Sequence, residues 1–259
     1  MFGFNNIDHK SFNRNFLKSV TFQIKYDNNS SIETNKERII EIFKSEYPRR
    51  RIQTNGGIEI KFDNTKTPIV QHVKEEKGVE LRSEDGQKIL NIIENSFSLT
   101  ITGKAYKNYD GLKNDLSLLN KFLDSFQIKQ INRIAIRKLN IIEFRPEDNP
   151  ISILSYLMNQ NLLANLSYFP NSNLINQNIQ SINYKSGNFY MNLKYGLNML
   201  PSQKPDNNSG QVIIDIDLFN LESNPTSEIF KISDVINSEI YNVFNWVISQ
   251  NTINLLNNE

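Results

Sequence analysis

Residues 97–144, FSLTITGKAYKNYDGLKNDLSLLNKFLDSFQIKQINRIAIRKLNIIEF, decide the fold. Apolar and polar residues alternate at 97–101, which is the period of a half-buried strand. An apolar seam follows, with residues spaced alternately four and three apart: Leu112, Leu116, Leu119, Leu123 and Phe126. This spacing is typical of an amphipathic helix, with Asp110 as its predicted N-cap, although a coiled coil is the alternative. Alternation resumes at 131–144, so we expect strand, helix, strand, with the helix packed across a sheet.

The rest of the chain continues this alternation of strands and helices. Further strands are predicted by their period-two patterns at 20–26, 58–62, 79–81, 182–185, 189–195 and 212–218. Gly56-Gly57 and Asp85-Gly86 are typical of turns, and Pro68 is expected to close the segment after the first of them. Thr34 and Glu37 have the spacing of a capping box, so a helix is predicted from there to Tyr47. Two more helices are predicted, one at 151–158 and one capped by Ser233.

The order of these elements predicts the fold class. Each half of the chain, 1–148 and 149–259, runs through strands and then a helix, and Pro146 and Pro150 mark the boundary between the halves. We therefore expect an α+β protein of two related halves that form one compact unit. Each half should be an antiparallel sheet covered on one face by long amphipathic helices.

Composition excludes several classes of site. The chain of 259 residues has no cysteine, which removes disulfides, thiolate nucleophiles and Cys-ligated metal sites. Its two histidines, His9 and His72, are expected to be surface residues, and no cofactor is predicted. The net charge of +1 creates no overall field toward nucleic acid or anionic lipid. No apolar run is long enough to cross a bilayer and the N-terminus lacks a signal-peptide pattern, so we expect a cytoplasmic protein without membrane contact.

Three segments, 97–116, 131–144 and 232–256, together with the strand at 17–26, resemble one protein family. It is a sporadically distributed, uncharacterised prokaryotic family of proteins of about this length. The match to its central strand is carried by Arg133, Ala135, Arg137, Leu139 and Asn140. Lys138 stands where that family has an aromatic residue, and Tyr109-Asp110 stands where it often has Trp-Glu. The resemblance implies the fold and no established reaction, and the patchy occurrence of the family implies an accessory role in defence or toxin–antitoxin systems.

Four charged residues are candidate site residues on predicted strands. Arg133 and Arg137 share one face of the strand at 131–144, where each guanidinium can bind a phosphate or carboxylate of a partner or ligand. The other face of this strand is predicted to be apolar and to face the core, with a bulge near Lys138. Asp215 and Asp217 share the outer face of theirs, which makes them a weak candidate pair for a divalent cation, since no third ligand is nearby. The alternatives are a solvated strand face, or Arg-Asp pairs across neighbouring strands.

Arg49, Arg50 and Arg51 form the densest positive cluster, between a predicted helix end and a strand. Cations are favoured near a helix C-terminus by the helix dipole, which is a structural explanation. A loop that contacts phosphate groups is the functional alternative.

These observations favour a non-enzymatic protein-interaction subunit or regulator that binds a protein partner or a second copy of itself. No glycine-rich phosphate loop, nucleophile elbow or HExxH motif is present in the sequence. The alternative is a nucleic-acid-binding or RNA-processing protein with duplicated RNA-binding-like halves, which the strand-then-helix halves and the arginine cluster would suit.

Overall fold

A computed structural model describes residues 1–7, 12–62, 68–144, 149–163, 171, 175–200 and 209–257, with the backbone alone for 52–62, 68–77, 200 and 209. It is a mixed α/β fold with a large antiparallel sheet and several helices. The strands are β1 (Leu17–Lys25), β2 (Arg49–Phe62), β3 (Pro68–Arg82), β4 (Lys88–Ile93), β5 (Ser96–Thr102), β6 (Gln130–Ile131), β7 (Arg133–Phe144), β8 (Gln177–Ser186), β9 (Phe189–Leu200), β10 (Ser209–Asn220) and β11 (Asn224–Pro225). The helices are α1 (Ser31–Thr34), α2 (Lys36–Phe43), α3 (Tyr109–Asp115), α4 (Leu119–Ser125), α5 (Pro150–Leu157), α6 (Ile229–Val247) and α7 (Gln250–Asn257).

The described residues form one main sheet of nine strands, in the order β2-β3-β4-β5-β1-β7-β10-β9-β8. Every neighbouring pair is antiparallel, and β6 and β11 form a separate small ladder. β7 lies in the predicted first half and pairs with β10 of the predicted second half. The sheet therefore runs without a break across the predicted boundary, where Pro150 is the first residue of α5 and Pro146 lies outside the described residues.

Strand register collects apolar side chains on one face of the sheet, which we call the inner face. One row crosses seven strands and consists of Leu81, Leu90, Leu99, Phe22, Ile136, Leu218 and Met191. None of these side chains is more than 1% exposed. The helices pack on this inner face. Phe122 of α4, for example, contacts Phe97, which lies on β5 two residues before Leu99, with ring centroids 5.6 Å apart. Burying each large apolar side chain contributes about 1.5–3 kcal/mol, so this layer dominates stability.

The predicted helix across Leu112 to Phe126 is wrong in length, because it is two short helices, α3 and α4. The N–H of Leu116 bonds to the carbonyls of both Leu112 and Lys113, and the N–H of Leu119 bonds to that of Leu116. Such three-residue bonds tighten and end a helical turn. The apolar seam is nevertheless buried throughout. The N-cap of α3 is Asn108 rather than Asp110, since the Asn108 side chain accepts from the N–H of Gly111 at 2.7 Å.

Two predicted helix caps are also wrong. Thr34 ends α1 instead of capping α2, and its hydroxyl donates to the carbonyl of Ser31 at 3.2 Å. Ser233 lies inside α6, where its hydroxyl donates to the carbonyl of Ile229 at 2.7 Å. Serine and threonine hydroxyls can bond to the preceding turn, so their presence alone does not mark a helix start.

Of the two predicted turns, one is confirmed and one is wrong. The turn at Asp85-Gly86 joins β3 to β4, with Gly86 at a φ of +70° that favours glycine. The predicted turn at Gly56-Gly57 is wrong, because both glycines lie within β2, and Pro68 begins β3 instead of closing a segment. A long antiparallel ladder with β3 outweighs the local turn preference of two glycines.

Among the described residues, none of the helices combines the length and apolar character required to span a membrane.

Candidate functional site

The outer face of the sheet, opposite the apolar rows, is polar across its centre. Register places Thr100, Thr21, Arg137, Asp217, Asn192 and Asn183 in one row across six strands. Because strand residues alternate between faces, the buried inner row fixes which residues appear here. The Thr21 and Thr100 hydroxyls lie 3.0 Å apart, within hydrogen-bonding distance. The sheet thus presents a polar surface, the outer face, that includes both candidate arginines and both candidate aspartates.

Arg137 forms a two-point contact with Asp215. The Nε and NH2 groups of Arg137 donate to the two Asp215 carboxylate oxygens at 2.8 and 2.7 Å. Asp215 stands opposite Leu139 on β7, so the contact is diagonal across the strands. The Asp215 side chain is only 10% exposed, whereas that of Arg137 is 52% exposed. Hydrogen bonding to Asp215 raises the pKa of Arg137, so the pair is a fixed structural contact with one cation edge open to solvent.

Arg133 is held less tightly. Its NH2 group donates to the Asp217 oxygens at 3.3 and 3.4 Å, and Asn192 donates to Asp217 at 3.4 Å. The buried Nε of Arg133 has no hydrogen-bond partner within the described part of the chain. Burial raises the pKa of Asp217 although Arg133 acts in the opposite direction. The two ion pairs of the outer face therefore differ in strength.

An aromatic pair beside these charges is enclosed by cations. Tyr190 and Phe219 stack with ring centroids 5.5 Å apart and planes 7° from parallel. The Arg133 guanidinium lies 3.8 Å from the centroid of Phe219, and Lys185 Nζ lies 5.3 Å from that of Tyr190. Since Arg133 and Lys185 come from strands on opposite sides of the pair, both outward ring faces are covered.

The arginine cluster lies elsewhere on the sheet. Arg49, Arg50 and Arg51 are expected between a helix end and a strand, but they are the first residues of β2, because their backbone pairs with β3. They therefore do not form the phosphate-contacting loop of the functional alternative. Arg49 contacts Glu84 at 3.1 Å and Arg50 contacts Glu37 at 3.4 Å, with exposed side chains. β2 and β7 are separated by four strands in the sheet order, or about 24 Å at the usual strand spacing. The structure therefore does not bring this cluster to Arg133 and Arg137.

The predicted metal pair has arginine partners instead. Asp215 and Asp217 each accept from an arginine, and within the described ranges no three His, Cys, Asp or Glu residues cluster so as to hold a metal ion. His9 lies outside the described residues, and the side chain of His72 is not described.

Lys138 is the residue that the sequence reasoning missed. Lys138 was expected to coincide with a bulge, but β7 pairs with β10 without a register shift, and the irregularity lies in β1 between Leu17 and Ser19. Lys138 therefore stands on the inner face, between Val20 and Ile216. The signal in the sequence is the spacing of two residues from Ile134 to Ile136 to Lys138, which puts all three side chains on the same face of a regular strand.

The surroundings of Lys138 are those of a core residue. Its Nζ donates to Oδ1 of Asn237 at 2.8 Å and lies 5.6 Å from the centroid of the Tyr106 ring. No carboxylate of the described residues forms an ion pair with it. Burial lowers the pKa of Lys138 to about 8. Protein atoms surround the side chain, yet the residue keeps some exposed area, since it lines a cleft.

Comparison with known proteins gives no match to a family model and none to a curated protein. The family resemblance carried by residues 97–116, 131–144 and 232–256 stays a prediction.

Proposed function

We propose that this chain is a non-enzymatic protein-interaction subunit or regulator that binds an acidic surface of another protein through the outer face. The observation that carries the proposal is an asymmetry of exposure. Asp215 and Asp217 have side chains only 10% and 23% exposed, whereas Arg137, Lys185 and Lys194 are exposed. Glu143, near the end of β7, is also exposed on this face, but at the centre of the face a partner meets mainly positive charge. An accessory role in defence or toxin–antitoxin systems is the setting that the family resemblance suggests.

A fixed arginine suits such an interface. Asp215 holds the Arg137 guanidinium by two hydrogen bonds, so less side-chain entropy is lost when a partner carboxylate approaches. Arginine is enriched at protein interfaces because its planar group donates in several directions. The strand scaffold adds rigidity, since the row through Arg137 crosses six paired strands.

The proposal includes two related halves, 1–148 and 149–259. β1 is followed by helices, then by a meander whose last strand, β5, pairs with β1, and then by α3 and α4. β7 is likewise followed by a helix, then by a meander whose last strand, β10, pairs with β7, and then by α6 and α7. This repeated order supports duplication, with units that begin at β1 and at β7, so β7 belongs to the second repeated unit although it precedes residue 149. The first strands of the two units lie side by side at the sheet centre.

Reversing exposed charges tests the partner surface without breaking the ion pairs. The variant carries Lys185→Glu and Lys194→Glu, both on exposed outer-face residues. Lys121→Glu on α4 is the matched control. In pull-downs from the native host with neighbouring genes expressed, wild type and control should recover the same partner and the double variant should lose it. Recovery unchanged in the double variant, or a wild-type protein that stays monomeric and recovers no partner, would refute the proposal.

A nucleic-acid-binding or RNA-processing role is the second candidate, because exposed cations on a sheet can also contact phosphates. The covered faces of Tyr190 and Phe219 weigh against it, since base stacking needs an open ring face. Filter binding at two salt concentrations separates the candidates. Phosphate contacts require an affinity that falls steeply with salt, and no binding at low salt removes this candidate.

A further inference from the structure

A cleft of about 140 Å³ lies on the inner side of the sheet, beside Lys138. β7 contributes Lys138 and Asn140 to it, while α6 contributes Ile240 and Phe244. The segment before β1 supplies Phe12 and Phe16, which complete a largely apolar wall. The cleft is on the opposite face from the surface of the proposed function, so its occupant is a separate question.

The walls are fixed in place by hydrogen bonds and ring contacts. The N–H of Arg14 donates to the carbonyl of Leu256 at 3.1 Å, and Asn13 Nδ2 donates to that of Asn257 at 2.7 Å. These bonds tie the segment before β1 to α7. Phe12 also stacks on Tyr241 of α6, with ring centroids 6.2 Å apart. The cleft is thus a formed feature between anchored elements.

Among the described residues, no carboxylate pairs with the ammonium of Lys138 in this apolar setting. An ammonium can donate three hydrogen bonds. In the described structure Lys138 donates one, to the neutral side-chain amide of Asn237, a residue that is 5% exposed. Tyr106 adds a ring face but no negative charge. A cation surrounded by apolar side chains is unfavourable unless an anion compensates it. An apolar residue at this position of β7 would have fitted the inner row at lower cost.

We propose that this cleft binds a small monocarboxylate with a short apolar tail. Its carboxylate would accept from Lys138 Nζ, and its tail would lie among Phe12, Phe16 and Phe244. Size supports this ligand class, because a cavity of about 150 Å³ with apolar walls accommodates a benzene ring. Charge supports it as well, since one ammonium balances a single negative charge, whereas a doubly charged phosphate would leave one charge uncompensated.

Benzoate and benzyl alcohol test the proposal, because they share a ring and differ in charge. Calorimetric titration at neutral pH should show saturable benzoate binding, with benzyl alcohol about tenfold weaker or worse, as expected for loss of a charged hydrogen bond. Lys138→Met should weaken benzoate by a similar factor and leave benzyl alcohol unchanged. Lys138→Gln, which is neutral but polar, should behave in the same way, and Lys194→Met on the outer face should bind benzoate as wild type does.

Several results would overturn this inference. They are the absence of saturable benzoate binding at millimolar concentration, equal affinity for the acid and the alcohol, and undiminished benzoate binding by both Lys138 variants. Amide chemical-shift changes on benzoate addition locate the ligand, and they should include Ile216 and Ile240, which line the cleft. Shifts confined to the outer face would place the ligand elsewhere and would also overturn it. None of these readouts depends on a protein partner.

Discussion

Neighbouring residues of β7 meet opposite electrostatic environments on the two faces of the sheet. Arg137 points to the outer face and makes two short bonds with Asp215. Lys138 points to the inner face and bonds to the neutral amide of Asn237. Asp215 raises the pKa of Arg137, whereas burial lowers that of Lys138 to about 8. The outer cation is thus part of the structural framework, while the inner one costs stability and calls for a functional explanation.

Of the variants that test this contrast between the two faces, Arg137→Ala should change the free energy of unfolding most. In Arg137→Ala, the Asp215 carboxylate, only 10% exposed, loses both of its charged donors from that residue. We expect the free energy of unfolding to fall by about 1–3 kcal/mol, less than for a fully buried pair because the arginine is half exposed. Urea denaturation near neutral pH measures the change.

Arg49→Ala is the matched control for that variant. Arg49 also contacts a carboxylate, Glu84, but both side chains are exposed, so the expected loss is below about 0.5 kcal/mol. If Arg137→Ala keeps its stability and loses partner binding, the arginine is a binding residue and not a structural one. Unchanged stability and unchanged binding together would contradict both interpretations of this strand.

Removing the charge of Lys138 should act in the opposite direction. At about 1.4 kcal/mol for each pH unit, lowering the pKa from 10.5 to about 8 corresponds to a cost of about 3 kcal/mol. Loss of the bond to Asn237 offsets about 1 kcal/mol of the gain. We therefore expect Lys138→Met to raise the free energy of unfolding by about 2 kcal/mol at neutral pH, measured by urea denaturation.

The pH dependence identifies the cause of that gain. Because the unfolded chain binds a proton at Lys138 more tightly than the folded one, wild-type stability should rise with pH between about 8 and 10.5. The advantage of Lys138→Met should be constant below this window and shrink through it. Among described residues, the other titratable groups lining the cleft are Tyr106, whose pKa burial raises to about 12, and Tyr241. Lys194→Met should show no such gain, and a Lys138→Met protein less stable than wild type would contradict the argument.

The sequence predicts features that depend on the periodicity of side chains along the chain. It does not predict which distant strands pair with one another. The strands at 20–26 and 97–101 and the apolar seam from Leu112 to Phe126 follow from side-chain spacing alone, and their apolar residues are buried. That β7 lies between β1 and β10 depends on long-range pairing, which no local pattern encodes. The contact between Arg137 and Asp215 was therefore one alternative among several.

Lys138 illustrates a different failure. Its phase with Ile134 and Ile136 was readable, but a charged residue on the apolar face led to the prediction of a bulge. The structure keeps the phase and buries the charge. A charged residue that stands in an apolar row while the strand pairing stays regular marks a position where function competes with stability.

The smallest expected effect concerns the second ion pair of the outer face. Arg133 contacts Asp217 at 3.3 and 3.4 Å, and burial raises the pKa of Asp217 despite the arginine, so ionisation of this carboxyl group is not favoured by folding. Asp217→Asn should therefore change the free energy of unfolding by less than about 1 kcal/mol near neutral pH. A carboxyl group whose pKa is raised on folding stabilises the protein at low pH and loses that contribution as pH rises from its ordinary value of 3.8 through the raised one.

The difference in urea midpoint between wild type and Asp217→Asn should show this decline from acidic to neutral pH, because the other carboxyl groups titrate in both proteins. Asp215→Asn is the matched control, because it loses charge at the bidentate contact with Arg137 and should cost more than Asp217→Asn. Equal losses in the two variants would mean that the outer face stabilises both pairs alike. The contrast between strongly and weakly compensated charge would then lie only between the two faces of the sheet, and not within the outer face.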